Sequence, residues 1–348
     1  MKKKIMATIL IVILLATSGC GKNNYIKDEN NKIVTYEATG QTLQKNILCK
    51  PNDEKSDLYK EYEKYNDQLD NKLEKLPKCK DFKITSNKTK SLWQFLFVKP
   101  VAYLIIKLGN VVGNLGISLI LIGLAIRIVL LPLQVKSLNQ SKNMQKAQPE
   151  LAKIERKYRD KTDNESLMMK SQETVAIYKK YKISPVLGCL LSFLQLPIFF
   201  AFLQAIYRIP TIYQEKLFGW NLGMTPMKGI ELHHYSYIIL VVLIALTTYF
   251  SFNFTMKKQQ NVGASTPDMQ NQMSMMTKIM TIMIIVTSFS LPTAIGLYWI
   301  VTYAFIFVQT AIVNRMNSND DHNDNKKGFK SLKDRLKEKE GMKYGKNY

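Results

Sequence analysis

Histidine and cysteine are scarce in this chain of 348 residues, which has three histidines and four cysteines. Glu231, His233 and His234 are metal-ligating residue types that stand together, but the further ligands that a metal site there needs are not nearby in the sequence. No nucleophile stands beside a plausible base either. We therefore expect no metal site and no cofactor, and we predict that the protein is not an enzyme.

Acidic residues are missing from the long apolar runs, although the chain has 27 Asp and Glu against 49 Lys and Arg, a net charge of +22. The longest run, residues 279–313, holds 35 residues without a charge. As one helix it would measure ~52 Å, against a hydrocarbon core of ~30 Å, so it must form two spans that break at Leu291 and Pro292. The predicted fold class is an all-α polytopic membrane protein with a five-helix transmembrane core, at residues 115–134, 185–207, 235–254, 277–291 and 293–313.

The most basic segment next to a span is residues 136–184, with twelve Lys and Arg against six acids. The positive-inside rule places it in the cytoplasm. Thr162 and Glu165 have capping-box spacing, which predicts the start of a second helix and hence a cytoplasmic helical hairpin. Its narrow apolar seam is predicted at Met144, Ala147, Leu151, Ile154, Tyr158, Leu167, Val175 and Tyr178. The alternative is a solvated linker of weak helicity.

The N-terminus has three lysines, then a largely apolar stretch at residues 5–15, then small residues before Cys20. This pattern predicts a signal peptide at residues 1–19, and it resembles the lipobox of bacterial lipoproteins, which implies that Cys20 is lipidated. Residues 20–91 would then form an extracytoplasmic lipid-anchored segment. The alternative is an uncleaved anchor helix.

Within that segment, six apolar residues recur at helical spacing until Pro77: Leu58, Tyr62, Tyr65, Leu69, Leu73 and Leu76. Cys49 and Cys79 bracket this predicted helix. In an oxidising exterior they can form a disulfide, and two free thiols are the alternative.

Two further segments flank the predicted core. Residues 92–114 are apolar but place Lys99, Tyr103, Lys107 and Asn110 on one helical face, the pattern of an interfacial amphipathic helix. Residues 316–348 form a basic tail, which counting of the spans places in the cytoplasm.

One arginine lies inside the first predicted span. Leu, Ile and Val residues of this run contribute roughly 4 to 8 kcal/mol towards insertion, against about 2.5 to 3.5 kcal/mol for a central arginine. The helix can therefore insert with Arg127 charged. Four residues fall within about 40° of Arg127 around the helix: Gly113, Gly116, Gly123 and Gln134. This pattern favours a charged face that lines a wet cavity, and the alternative is an arginine that snorkels to the headgroups.

In this order, the segments resemble the YidC family of membrane protein insertases, in the form found in Gram-positive bacteria. The resemblance covers roughly residues 92–315. It rests on three motifs, GISLILIGLAIRIVLLPLQ around Arg127, ISPVLGCLLSFLQLPIFFAFLQAI around Gln195, and LPTAIGLYWIV around Trp299.

The resemblance implies a hydrophilic groove that is open to the cytoplasm and to lipid but closed to the outside. It maps the family's membrane arginine to Arg127, its groove glutamine to Gln195 and its last-span aromatic to Trp299. The helix faces add Gln134, Tyr298 and Thr302 to the predicted groove. The expected partners are nascent membrane proteins, the Sec translocon, the ribosome through the hairpin and the basic tail, and the lipid bilayer. The expected location is the bacterial cell membrane.

Two other functions fit parts of the sequence. A transporter or channel for an anionic solute would also use a wet arginine, but none of the five predicted spans contains Asp or Glu for proton coupling, and no half of the chain repeats the other. A lipoprotein binding module would place the activity in residues 21–90 alone.

Overall fold

The computed structural model describes residues 24–86, 91–260, 267–313 and 315. The predicted signal peptide, Cys20 and the basic tail lie outside the described residues. The described part of the chain is mostly helical, as predicted, with two small antiparallel hairpins of two-residue strands.

The elements follow one another along the chain in a simple order. The strands are β1 (Thr35–Tyr36), β2 (Gln41–Thr42), β3 (Lys216–Leu217) and β4 (Trp220–Asn221). The helices are α1 (Asp57–Lys64), α2 (Lys99–Val112), α3 (Leu115–Lys157), α4 (Asn164–Lys180), α5 (Pro185–Tyr207), α6 (Pro226–Glu231), α7 (Ser236–Gln260), α8 (Pro267–Ser288) and α9 (Thr293–Val313).

Residues 24–86 form a small domain, here called the N-terminal domain. The long helix predicted up to Pro77 is wrong, because α1 ends at Lys64 and three 3₁₀ turns follow it. The Asn66 side chain accepts a hydrogen bond from the Leu73 amide at 2.9 Å, so it competes with the helical backbone. The apolar positions are nevertheless buried, apart from Tyr65, which is half-buried. A disulfide joins Cys49 to Cys79.

Four described helical stretches are long and apolar enough to cross a membrane: Gln94–Val112, Leu115–Met144, Ser236–Phe254 and Thr293–Val313. Two shorter apolar stretches, Gln195–Tyr207 and Thr277–Ser288, belong to α5 and α8. Helix α8 ends at Ser288 and α9 begins at Thr293, so the chain breaks around Leu291 and Pro292. The polytopic class is confirmed, and the exact five-helix core stays a prediction.

Helix α2 qualifies as a span by length, and its interfacial position stays a prediction. The Trp93 indole before it donates to Gln204 near the end of α5 at 3.3 Å. Ser118 at the start of α3 donates to the Ile105 carbonyl at 2.6 Å. The α2 region therefore contacts the start of α3 and the end of α5. Its predicted polar face is partly wrong, since Lys99 is buried against the protein while Lys107 is exposed.

The predicted hairpin is formed by the second half of α3 and by α4. Helix α3 continues through Pro132 and Pro149 to Lys157 without a break. Ala147, Ile154 and Tyr158 are buried in the seam. Leu167 and Val175 were also predicted there, but they are 51% and 46% exposed. The facing arm fills the seam with two other isoleucines, Ile177 and Ile183.

The capping box predicted at Thr162 and Glu165 is wrong by one residue. The N-cap of α4 is Asp163, whose carboxylate accepts from the Ser166 amide at 2.8 Å. A carboxylate caps as well as a hydroxyl and also interacts favourably with the positive end of the helix. The same hydrogen bond holds the pKa of Asp163 below its ordinary value.

Candidate functional site

Helix α9 is the centre of the helix bundle, because its aromatic side chains pack against α3, α5 and α7. The Tyr298 ring stacks on Phe202 of α5 with centroids 4.4 Å apart, and Trp299 stacks on Phe199 at 5.9 Å. On another side of α9, Tyr303 packs edge-to-face with Phe252 of α7 at 5.5 Å. The predicted residues Tyr298 and Trp299 therefore join α9 to α5, and Tyr303 joins α9 to α7.

Arg127 is buried inside this bundle, with only 4% of its surface exposed. Among the residues that the structure describes, none forms a hydrogen bond or an ion pair with its guanidinium. Packing by neighbouring side chains therefore holds the guanidinium in place.

Several buried polar atoms of α7 and α9 lack a hydrogen-bond partner within the described part of the chain. They are the hydroxyls of Thr248 and Thr302 and the side-chain oxygen of Gln309. Buried polar groups are nearly always satisfied by protein, water or a ligand. These atoms therefore point to an interior that accommodates other polar groups. Thr248 and Gln309 were not among the predicted groove residues, although both stand in polar positions of apolar spans.

The two predicted glutamines differ in their environment. Gln134 is buried on α3, seven residues after Arg127 and hence on the same helical face. Gln195 is half-buried on α5, one turn before the Phe199 ring that stacks on Trp299. Thr302 lies one turn beyond Tyr298 on α9 and is also buried. The predicted residues thus occupy facing helices, although no hydrogen bond among the described contacts links Gln195 to Arg127.

Outside the bundle, the hairpin is stabilised by ion pairs between its two arms. Lys157 pairs with Glu173 at 2.5 Å, and Lys180 pairs with Glu150 at 2.5 Å. These lysines hold the pKa values of both glutamates below their ordinary value. The exposed cations Lys153, Arg156, Arg159 and Lys182 take part in no described ion pair. The hairpin surface therefore keeps excess positive charge.

The described residues contain no group of three or more His, Cys, Asp and Glu side chains that could hold a metal ion. His233 instead contacts the Tyr235 hydroxyl at 3.2 Å.

Comparison with known proteins identifies the family. Residues 107–321 match the family model described as 60Kd inner membrane protein. The chain belongs to this family. Among its relatives, a membrane protein insertase YidC of Oceanobacillus iheyensis is 34% identical over 233 residues, which cover 67% of this chain and 87% of the relative.

Two other relatives in the family carry similar names. The membrane protein insertase MisCA of Bacillus subtilis is 33% identical over 64% of this chain and 78% of its own length. A membrane protein insertase YidC 1 of Listeria monocytogenes is 31% identical over 74% of this chain and 83% of its own length. These comparisons support the predicted family and give no support to a transporter or channel.

The match to the 60Kd inner membrane protein family includes every predicted groove residue. It begins at Lys107, so it leaves out the N-terminal domain and its disulfide. The family therefore accounts for the helix bundle and the hairpin, and residues 24–86 need an explanation of their own.

Proposed function

We propose that the protein is a membrane protein insertase that receives the hydrophilic ends of nascent membrane proteins in a positively charged groove between α3, α5 and α9. The observation that carries this proposal is a buried arginine without a carboxylate partner among the described residues, in a helix bundle that also buries hydroxyls without described hydrogen-bond partners. The insertase names of the relatives support it.

The physical role of the groove is to lower the barrier for a polar segment inside the bilayer. A charged or polar group at the bilayer centre is costly, because it loses its hydration. The Arg127 charge offsets that loss for an acidic end, and the hydroxyl of Thr302 on α9 supplies a hydrogen bond to a neutral one. The apolar part of the substrate then partitions into lipid. This role requires no covalent chemistry and no cofactor.

The proposed orientation puts the hairpin in the cytoplasm and the N-terminal domain outside, anchored through lipid on Cys20. The excess cations of residues 136–184 support the first part, and the Cys49–Cys79 disulfide supports the second, because disulfides persist in oxidising compartments. Mass spectrometry of the purified protein tests the anchor. An N-terminal Cys20 that carries diacylglycerol is expected, and an intact Met1 or an unmodified Cys20 contradicts it.

The ribosome and the Sec translocon are proposed partners on the cytoplasmic side and in the membrane. The exposed cations of the hairpin support contact with ribosomal RNA, because phosphate groups bind such surfaces. The Sec translocon is proposed from the family resemblance, and the lipid bilayer from the apolar helices.

Depletion of the protein from its host, followed by proteomics of the membrane fraction, tests the proposed function. An insertase should lower many small membrane proteins at once. Purified protein in liposomes should also insert a single-span substrate without any other protein. Saturable uptake of a small anion by the same liposomes, without substrate insertion, would favour the transporter instead.

A further inference from the structure

The N-terminal domain has a surface that offers little to an apolar partner. Residues 24–86 contain twelve lysines and twelve acidic residues, so the domain is formally neutral. Ile33 is the only large hydrophobic side chain of this described segment that is exposed. Its other apolar side chains pack into a cluster that continues into the helix bundle, through Ile209 and Ile212. The apolar side chains of the domain therefore pack against the helix bundle of the same chain.

Three backbone segments of the domain bind three different elements at one end of the bundle. The Leu48 amide donates to the Arg208 carbonyl at the end of α5 at 2.9 Å. The Asn110 side chain of α2 donates to the Lys80 carbonyl at 2.8 Å. The third contact joins the Thr225 amide, at the N-cap of α6, to the Thr39 carbonyl at 3.2 Å. One small domain thus ties together α2, α5 and α6.

The disulfide lies between two of these contacts. Cys49 follows Leu48, and Cys79 precedes Lys80, so the covalent link joins the segment that binds α5 to the segment that binds α2. Both cysteines are buried. If the ends of α2 and α5 moved apart, they would therefore pull on two segments that the disulfide holds together.

Close packing excludes water from much of this contact. Tyr213, which follows α5, is buried, and its phenol is electrostatically coupled to Tyr62 and Tyr25 of the N-terminal domain. Burial raises the pKa of this phenol well above its ordinary value. Gly40 in the β1–β2 turn has a φ of +72°, and an added Cβ would lie 3.0 Å from the Lys228 Cβ of α6. The turn therefore approaches α6 so closely that a side chain at Gly40 would have to push the Lys228 side chain aside.

We propose that the N-terminal domain is an outer seal, a disulfide-closed cap that braces α2, α5 and α6 and keeps the groove closed on the external side. The inference rests on the proposed groove and orientation. An insertase needs such a barrier because a polar groove that opened to both sides would pass water and ions. The family match leaves these residues out, so the seal is a property of this chain beyond the matched core.

Site-specific thiol labelling tests the seal in the full chain. The reporter is Gln195→Cys, a half-buried position on α5, in a Cys189→Ser background. A membrane-impermeant maleimide is applied from outside to intact protoplasts and, separately, to the cytoplasmic face of inverted vesicles. The same chain without the reporter gives the background rate for any other thiol.

Two variants loosen the contact while the disulfide remains. Asn110→Leu removes the hydrogen bond to the Lys80 carbonyl, and Gly40→Val forces the turn away from Lys228. The matched control is Gly219→Val, because Gly219 has a similar φ of +84° but has no atom within 4 Å of an added Cβ. Val at either glycine carries the same kind of backbone strain, and only Gly40 lies at the seal.

External labelling should stay at background in the parent and in Gly219→Val. It should rise at least ten-fold in the Asn110→Leu, Gly40→Val double variant, while cytoplasmic labelling stays constant. External labelling that remains at background in the double variant overturns the proposal. So does an equal rise in Gly219→Val, or a cytoplasmic rate that changes together with the external one, since either result indicates general loosening of the fold. Substrate insertion is measured on the same Asn110→Leu, Gly40→Val and Gly219→Val changes in chains that keep Gln195, so loss of the proposed function is distinguished from loss of the seal.

Discussion

The Tyr298 ring lies directly on the backbone of Gly123, and a Cβ at Gly123 would come within 3.2 Å of its Cδ2 atom. The absence of a side chain at Gly123 lets α9 approach α3 closely. Arg127 stands one turn further along the same face of α3, so this approach also brings α9 towards the arginine. Gly123, which contacts α9, and Arg127, whose charge we assign to the groove, therefore lie on one face of α3.

If the permanent charge of Arg127 attracts acidic substrate ends, a lysine at this position should support insertion as well. A charge pair 4 Å apart at an effective dielectric constant of 20 is worth about 4 kcal/mol. Arg127→Lys should keep most activity, whereas Arg127→Ala should lose about ten-fold or more for an acidic translocated end and less for a neutral one. Arg127→Glu should be worse than alanine on the acidic substrate because it adds repulsion.

The measurement is insertion of one single-span substrate, in acidic and neutral versions, into proteoliposomes that contain equal amounts of folded protein. The neutral version is the internal control for each variant. If the lysine, alanine and glutamate variants lose the same amount of insertion activity on both substrate versions, the electrostatic explanation is wrong. Arg127 would then have a structural role.

Removal of the Cys49–Cys79 disulfide should destabilise the N-terminal domain. Cys49→Ser with Cys79→Ser releases a loop whose closure contributes about 3 to 4 kcal/mol in the chain-entropy estimate. Urea unfolding of the purified protein, followed by near-ultraviolet circular dichroism of the buried tyrosines, measures the loss. Reduction of the unmutated protein is the matched control and should give the same shift. An unchanged midpoint in both samples would contradict the prediction.

The inter-arm ion pairs should make the hairpin sensitive to acid. The pKa values of Glu150 and Glu173 are lowered in the folded protein by Lys180 and Lys157. Their stabilisation is therefore present above the ordinary glutamate pKa of 4.5 and is lost as the pH falls through the lowered folded values. Amide hydrogen exchange in α4 should speed up in that range.

The double variant Glu150→Gln, Glu173→Gln should show faster exchange already at neutral pH and a weaker response to acid. High salt should reduce the difference from the parent, because both pairs are exposed. Glu165→Gln, at a position without a described ion pair, serves as the control. A parent whose α4 exchange shows the same acid response as the double variant would refute the role of these pairs.

The basic tail should bind ribosomes through phosphate contacts. Deletion of residues 316–348 removes nine Lys and Arg against six acids. Cosedimentation of the parent with ribosomes should fall steeply between about 50 and 200 mM salt, because phosphate contacts release counterions when they form. After the deletion, binding should depend less steeply on salt concentration. Equal binding by both chains at every salt concentration would assign the tail no part in ribosome contact.

Local patterns in the sequence predicted the helices of the bundle and the position of the buried arginine. A helix in lipid must satisfy its own backbone hydrogen bonds, so an apolar run predicts its helix without reference to the rest of the chain. For the same reason the break near Pro292 could be placed from length alone. The spacing of Leu58, Tyr62 and Leu73 correctly marked buried positions, although it overstated the length of the helix.

Only the tertiary structure decided which partner each surface meets. The burial of Lys99, the exposure of Leu167 and the choice of Ile177 for the hairpin seam depend on residues far away in the sequence. The same holds for the N-terminal domain, whose backbone carbonyls and amides bind the ends of α2, α5 and α6. Every residue has nearly the same backbone groups, so a pattern of side chains in the sequence could not predict the contact between the N-terminal domain and these helix ends.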